Sequence, residues 1–351
     1  MTDITSGFAR KLIAWQGRHG RHDLPWQGTR DPYPIWVSEI MLQQTQVGSV
    51  IGYFQRFMDR FADVESLARA TEEDVLRLWS GLGYYARARN LHKAARVIVE
   101  SHGGRFPRSA RLIEELPGVG RSTAGAIAAF AFGEHVAILD GNVKRVLARR
   151  FGVEGYPGAA AVEGRLWSLA CSLLPNGRRK QSGIEAYTQG LMDLGATICT
   201  RRNPACGLCP VATDCVARRT DRIDQVPAAR PKKAYPTRGT TWLVLTHNGR
   251  VLLERRPSSG ICGGLWAFPE LAGRNLAQYC LSEFGCVLSG QRRLPVFFHG
   301  FTHFRLEIEA VVCHVVECNP RAESPGRLWS GVDEAGGAAV PTPVRKVLRL
   351  L

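Results

Sequence analysis

The chain has 351 residues, 46 Lys and Arg against 31 Asp and Glu, a net charge of +15 and 45% hydrophobic residues. That is long enough for two domains with separate cores, and no apolar run is long enough to span a bilayer. The excess of positive charge favours an anionic partner, nucleic acid before an acidic membrane surface, but locates no site.

The N-terminal stretch Phe8 to Trp15 is interrupted by Arg10 and Lys11, so it does not read as a secretory signal. Helix-like apolar spacing then recurs up to about residue 222, in Ile35–Val50, Thr71–Leu82, Arg87–Ser101, Ser122–Phe132, Gly141–Phe151, Ala160–Leu174 and Ile184–Ile198. Glu39 sits in the apolar run Ile35-Trp36-Val37-Ser38-Glu39-Ile40-Met41-Leu42. Burial there would raise its pKa and keep it protonated, fit for a general acid. A solvent-facing helix glutamate is the ordinary alternative. Gln43-Gln44-Thr45-Gln46 follows, with polar groups suited to base edges or to a gap in a duplex. Thr71 is an N-cap candidate with Glu72, Glu73 and Asp74 in the first turn. Gly81-Leu82-Gly83-Tyr84-Tyr85 puts aromatic rings on a flexible turn, suited to wedging or stacking, although such tyrosines are more often core.

Leu116-Pro117-Gly118-Val119-Gly120 lies between two helical stretches. Glycines beside a proline permit a tight hairpin whose amides, with the next helix N-terminus, suit a phosphate. Asp140 precedes the Gly141 helix as a natural N-cap. Amides and the helix dipole should hold it ionised, and an anion beside such a hairpin can stabilise a positively charged sugar. Two carboxylates in opposed environments form a pattern for an acid and a stabiliser.

Cys199, Cys206, Cys209 and Cys215 crowd one short stretch that also holds Arg201, Arg202, Arg218 and Arg219. Four thiolates fit tetrahedral zinc or an iron–sulfur cluster, and spacing alone does not decide. The six other cysteines, Cys171, Cys262, Cys280, Cys286, Cys313 and Cys318, are not grouped in sequence and read as small buried apolar residues. Residues 226–238, with three prolines and four cations, read as an extended basic linker. Beyond it the period is strand-like in Thr240–Thr246, Val251–Glu254, Val296–Phe298 and Phe304–His314, with Asn248-Gly249 as a hairpin turn and Leu276–Phe284 as a helix.

Together these residues resemble the MutY-type adenine DNA glycosylases of the helix-hairpin-helix superfamily. The resemblance rests on Leu24-Pro25-Trp26, on Ser38 to Val47, on Gly81–Asn90, on Leu116–Thr123, on Leu139–Val146 and on the four cysteines. It implies a multidomain chain: an all-α helix-hairpin-helix glycosylase domain over 1–225 with the cluster loop 199–215, a linker over 226–238, and an α+β Nudix-like domain over 239–351. It implies a [4Fe–4S] cluster on the four cysteines. The implied reaction is removal of adenine mispaired with 8-oxoguanine or guanine in double-stranded DNA. Glu39 then maps to the acid that protonates adenine, Asp140 to the oxocarbenium stabiliser or nucleophile, and Asn142 to a residue supporting that site. Trp26 and Gln27 map to the adenine pocket, and Gln44 and Tyr84 to duplex-probing positions. Gln43, Leu116, Gly118, Gly120, Ser122, Arg201 and Arg202 complete the expected DNA contacts.

Ser122 stands where strand-cutting relatives carry a lysine, so no Schiff base is expected there and the reading is a monofunctional glycosylase. Some adenine glycosylases carry Tyr at that point. Gly260 to Pro269 resembles the segment before a Nudix helix, but Leu276–Phe284 holds only Glu283, too few acids for Mg²⁺. Phe301-Thr302-His303 resembles the family's Phe-Ser-His turn, which reads 8-oxoguanine. The expected setting is a monomer in a bacterial cytoplasm, associated with the nucleoid and not with a membrane. The competing readings are a bifunctional pyrimidine-lesion glycosylase and lyase, or a non-catalytic, zinc-stapled DNA-binding protein.

Overall fold

A computed structural model describes residues 2–175, 183–231, 235–257, 260–272, 275–301, 303–319, 322 and 324–351, except for the side chains of 2–6. Two compact units emerge: Met1–Arg69 with Asn90–Lys232, and Ala70–Arg89 with Lys233–Leu351.

The first unit is helical. Its elements are α1 (Thr2–His19), α2 (Pro32–Leu42), α3 (Val47–Arg60) and α4 (Val64–Arg69). After α5 (Glu72–Trp79), which belongs to the second unit, α6 (Ala86–His102) leads back into the first. Then come α7 (Ala110–Glu114), α8 (Arg121–Phe132), α9 (Gly141–Phe151), α10 (Ala160–Ser172), α11 (Ile184–Asp193) and the short α12 (Val216–Arg219). A core of Leu12, Val143, Leu147, Leu166, Tyr187 and Leu191 joins α1, α9, α10 and α11. Each such side chain contributes about 1.5–3 kcal/mol by leaving water.

The apolar spacing predicted one helix over Ile35–Val50, but the chain breaks at Gln43–Gln46 between α2 and α3. Gln44 takes a left-handed φ of 57°. The Thr45 hydroxyl donates to the Gln43 carbonyl at 3.3 Å, a local bond that competes with the helical ladder. Past the break, Val50, Phe54 and Phe57 form the buried stripe that lets α3 restart in a new direction. Thr71 caps α5 as expected, accepting from the Asp74 N–H at 3.1 Å.

The second unit carries a mixed sheet of β1 (Thr237–His247), β2 (Arg250–Arg255), β3 (Trp266–Ala267), β4 (Cys286–Arg293), β5 (Phe297–Gly300), β6 (Arg305–Cys318) and β7 (Arg327–Gly331). Among the described residues the order is β3-β2-β1-β6-β4, with β5 also on β6 and β7 also on β2. Asn248 and Gly249 both have positive φ, 47° and 71°, as a two-residue hairpin between β1 and β2 requires. β1 and β6 run parallel. The helix α13 (Leu276–Tyr279) widens into a π segment, Cys280–Phe284, and α14 (Val332–Gly337) and α15 (Thr342–Leu348) close the chain. No helix among the described residues is long and apolar enough to cross a membrane.

Candidate active site and thiol loop

α2 starts on Asp31, which accepts the Tyr33 N–H, and presents Glu39 from an otherwise buried helix. Glu39 lines a cavity of about 480 Å³ with Trp26, Gln27, Arg30, Phe130, Glu185 and Gln189. That volume suits a small planar ligand. Burial pushes the Glu39 carboxyl up to about 8, and the nearby Asp140 charge adds to the rise. The carboxyl is therefore held in its acid form near neutral pH, as its apolar run suggested.

Asp140 caps α9 and accepts the Val143 N–H at 2.7 Å. Its pKa does not follow the expectation that the cap would hold it low. Burial raises it, against the N–H groups of Val143 and Asn142 and the charges of Arg145 and Lys144. Desolvation of the anion outweighs the cap because the carboxyl is largely withdrawn from water. The Lys144 ammonium is engaged with Glu163 at 2.7 Å. Ser122, in the first turn of α8, accepts the Leu139 N–H at 2.9 Å and so fixes the chain just before Asp140.

Trp26 is buried edge-on against Phe54 at 5.3 Å. Gln27 spends its amide on the local loop, accepting from Leu24 N–H at 3.1 Å and donating to Arg21 O at 3.1 Å. Gln43 donates to the Thr123 hydroxyl at 3.4 Å, and Gln44 is exposed in the α2–α3 turn. In the hairpin before α8, Leu116 is buried and accepts the Val119 N–H. Gly118 has a φ of 78°, and a Cβ there would meet Asn90 Cβ at 2.6 Å. Gly120 is the N-cap residue of α8 and supplies no side-chain cap, so no side chain of its own covers the amides that start α8. Tyr84, 47% exposed with a φ of 50°, belongs to the second unit.

Cys199, Cys209 and Cys215 pack half-buried against the helical core. Burial pushes the Cys209 thiol up to about 11, opposed by a hydrogen bond from Val211, and the sulfurs of Cys199, Cys215 and Cys206 add to the rise. The four thiols thus lie within one another's electrostatic reach. Among the described residues no set of three or more His, Cys, Asp or Glu is arranged for a single ion. A cluster in which each thiolate binds its own iron needs a wider spread of sulfur than one tetrahedral ion. α9 supplies the counter-charge. Arg149 donates to Cys199 Sγ at 3.6 Å, Thr200 O at 2.7 Å, Arg201 O at 3.2 Å and Val226 O at 2.9 Å. Arg150 faces Cys209 and Cys215 and bonds the Asp214 carbonyl. Arg145 donates to Cys199 O at 2.7 Å and to Asn142 Oδ1 at 2.8 Å. The side chains of Arg201 and Arg202 stay exposed. Donor set and counter-charge both fit an anionic iron–sulfur group.

Several residues of the site escaped the sequence reading: the Arg30–Glu185 ion pair at 2.6 Å, the pair of half-buried Arg21 with buried Asp193 at 2.6 Å, and Arg145 and Arg149. Asn142, Arg145 and Arg149 are spaced i, i+3, i+7 after the Asp140 cap, and that single-face spacing was the available signal.

In the second unit, Phe301 stacks on Phe304 at 4.7 Å and meets His299 edge-on at 4.8 Å. The Phe301 N–H donates to Phe304 O at 2.9 Å and closes the turn, leaving His303 exposed. Thr302 lies outside the described residues. At the former Nudix helix, Arg327 bridges Glu254, at 2.9 Å, and Glu283.

Residues 37–171 match the HhH-GPD superfamily of base excision DNA repair proteins, 199–215 the iron–sulfur binding domain of endonuclease III, and 240–350 the NUDIX domain. An adenine DNA glycosylase of Buchnera aphidicola is 35% identical over 342 residues, covering 97% of this chain and 96% of that one. The human adenine DNA glycosylase is 34% identical over 414 aligned residues, covering all of this chain and 74% of that one. A thermostable thymine-DNA glycosylase structure superposes with a TM-score of 0.54 at 31% identity, covering 62% of this chain and 99% of the other.

Proposed function

The chain belongs to the adenine DNA glycosylases, enzymes of base excision repair with a [4Fe–4S] cofactor, and from that premise we propose how this member works. It hydrolyses the N-glycosidic bond of adenine opposite 8-oxoguanine, and of adenine opposite guanine, without cutting the strand. The observation that carries this reading is Glu39, held protonated to about pH 8 at the wall of a base-sized cavity and within the field of Asp140.

An adenine in a stacked duplex presents no reachable glycosidic bond, so the nucleotide must turn out into the cavity. Glu39 then gives its proton to the purine ring and makes it a neutral leaving group. Positive charge develops on the sugar. Asp140, a poorly hydrated carboxylate, gains more from a cation forming beside it than a hydrated one would. It stabilises that cation or bonds to it, and water completes hydrolysis in a two-carboxylate scheme. Asn142 and Ser122 hold the Asp140 segment in place. Ser122 offers no amine, and Lys144 is engaged by Glu163, which supports a monofunctional enzyme. Cys199, Cys206, Cys209 and Cys215 would hold the cluster, which would supply a rigid, charged anchor for their loop. Arg201 and Arg202 beside it meet phosphates, as do the amides at Gly118 and Gly120.

The glycosylase work is assigned to residues 1–225 and lesion reading to 239–351, joined by 226–238. Phe301, Thr302 and His303 read the oxidised guanine, while Gln43, Gln44 and Tyr84 probe the duplex. The enzyme acts as a monomer in the bacterial cytoplasm on nucleoid DNA.

Single-turnover reactions on duplexes with one 8-oxoguanine:A, G:A or 8-oxoguanine:C pair test the proposal. Adenine release from the first two, with strand breaks only after alkali, is expected. Strand breaks without alkali, together with borohydride trapping on DNA, overturn the monofunctional assignment. No adenine release from the 8-oxoguanine:A pair overturns the substrate.

A further inference from the structure

The second unit holds another group of thiols that the reaction does not use. Cys280, Cys286 and Cys313 are fully buried, and Cys318 is half-buried against the same core cluster. Cys280 and Cys313 are free thiols that share a hydrogen bond. Cys286 and Cys318 stand in a different relation: they are direct Cα partners across the antiparallel β4–β6 ladder. The Asn319 N–H donates to Gly285 O at 3.2 Å, one position outside the pair on each strand. That makes 286–318 a non-hydrogen-bonded pair, whose Cα atoms lie about 4.5 Å apart and whose side chains come closest. A disulfide requires about 4.4–6.8 Å between Cα atoms.

The register explains why the two side chains share one face of the sheet. Val311, Cys313 and Val315 alternate into the core, and simple alternation would turn residue 318 outward. Leu288 pairs with Val315 and Val287 with Glu317, so Val316 has no partner on β4. Val316 is therefore a bulge residue, 57% exposed, and it returns Cys318 to the inner face opposite Cys286.

We propose that Cys286 and Cys318 are a modification site, a dithiol that peroxide converts reversibly to a disulfide. Hydrogen peroxide oxidises the Cys318 thiol to a sulfenic acid, its O–O bond breaks and water leaves. The Cys286 sulfur attacks the Cys318 sulfur, a second water leaves, and the S–S bond forms. The two thiols together give up two electrons and two protons. Cys318 reacts first because it is the accessible partner. The bond closes a loop over Val287–Glu317, which contains β5 and the Phe301–Phe304 turn. Oxidation therefore tethers the segment to which lesion reading is assigned, a consequence that rests on the function proposed above, whereas the bond itself does not.

The test treats the holoprotein with hydrogen peroxide, and in parallel with diamide. It then blocks remaining thiols with N-ethylmaleimide and maps peptides by mass spectrometry. Iron absorbance is followed so that cluster damage is counted separately. A peptide pair joined through Cys286 and Cys318, lost on dithiothreitol treatment, is the expected product. Cys286→Ser is expected to leave a Cys318 sulfenic acid that dimedone traps, and Cys318→Ser to give no bridge. Circular dichroism checks that both variants fold. Both cysteines fully alkylated after either oxidant, or a bridge formed by Cys280 and Cys313 instead, overturns the proposal. Neither result bears on adenine release, so the functional reading stands or falls separately.

Discussion

Ser122 and Leu139 are joined across the first unit: the Leu139 N–H, in a buried stretch, donates to Ser122 Oγ at 2.9 Å. The hydroxyl thus has a positional task one residue before the Asp140 cap. Ser122→Ala leaves that N–H without its partner, at a cost of about 1–3 kcal/mol. We expect a lower Tm and a slower single-turnover rate with unchanged duplex Kd, and recovery in Ser122→Thr. Unchanged rate and Tm in the alanine variant refute the assignment.

With Glu39 as the proposed acid, its proton sets the alkaline limit of the reaction. Its folded pKa of about 8 lies above the ordinary 4.5. The proton needed by the leaving base is present below that value and lost as pH rises through it, so kcat/KM should fall with a midpoint near 8. The stability sign agrees. Between 4.5 and 8 the folded protein holds this proton more tightly than the unfolded chain does, so stability declines as pH rises through that window. Glu39→Gln should slow adenine release by roughly 10²–10⁴-fold. It should also raise Tm relative to the parent at pH 9 but not at pH 4.5. A parental rate, or a rate profile flat to pH 10, counts against Glu39 as the acid.

Arg149 holds the thiol loop through three groups, Cys199 Sγ, Thr200 O and Arg201 O, and reaches Val226 O as well, a spread suited to a planar fork. Arg149→Lys should lose iron on dialysis that the parent retains, measured as iron per chain. Equal retention would show that the thiolates alone hold the loop.

The turn closed by Phe301 and Phe304 should carry discrimination rather than chemistry. Phe301→Ala with His303→Ala is expected to lower the preference for 8-oxoguanine:A over G:A by one to two orders of magnitude, since a base-edge contact is worth roughly 1–3 kcal/mol. Arg201→Ala with Arg202→Ala should weaken both duplexes equally and flatten the salt dependence. Dissociation constants at two salt concentrations separate the cases. Equal losses in the turn variant would make the turn structural.

Arg327 spans Glu254 and Glu283, so an internal guanidinium already pairs with Glu254 and with the one acid of Leu276–Phe284. The full chain should not hydrolyse nucleoside triphosphates with Mg²⁺. Phosphate release above that of a Glu283→Gln control would contradict this.

Where one signal governed the outcome, the sequence was readable. The Asp140 cap, the Asn248-Gly249 hairpin, the Thr71 cap and the helix Gly141–Phe151 all depend on neighbours within a few residues. β4 and β7 were missed. β4 is a mostly exposed edge strand rich in polar residues, and β7 has five residues, so neither shows a β-branched run. The α2–α3 break was missed because its cause is a left-handed glutamine in an otherwise amphipathic stretch. The raised pKa of Glu39 was legible from its apolar run. The Asp140 shift was not, because local amides lower it while burial, set by distant parts of the chain, raises it. Arg30–Glu185 joins residues 155 apart, a pairing no local pattern encodes.

The π segment after α11, Leu194–Ile198, lays Gly195 against the first turn of α9. A methyl group on Gly195 would come within 2.5 Å of Asn142 Cβ, and the Gly195 carbonyl accepts from Arg145 at 2.6 Å. Substituting alanine there would leave every reactive group intact yet force apart the two backbones that hold Asn142 and the residues beside it. A ranking of positions by functional chemistry would pass over Gly195, although the space it leaves empty sets how closely α9 can seat.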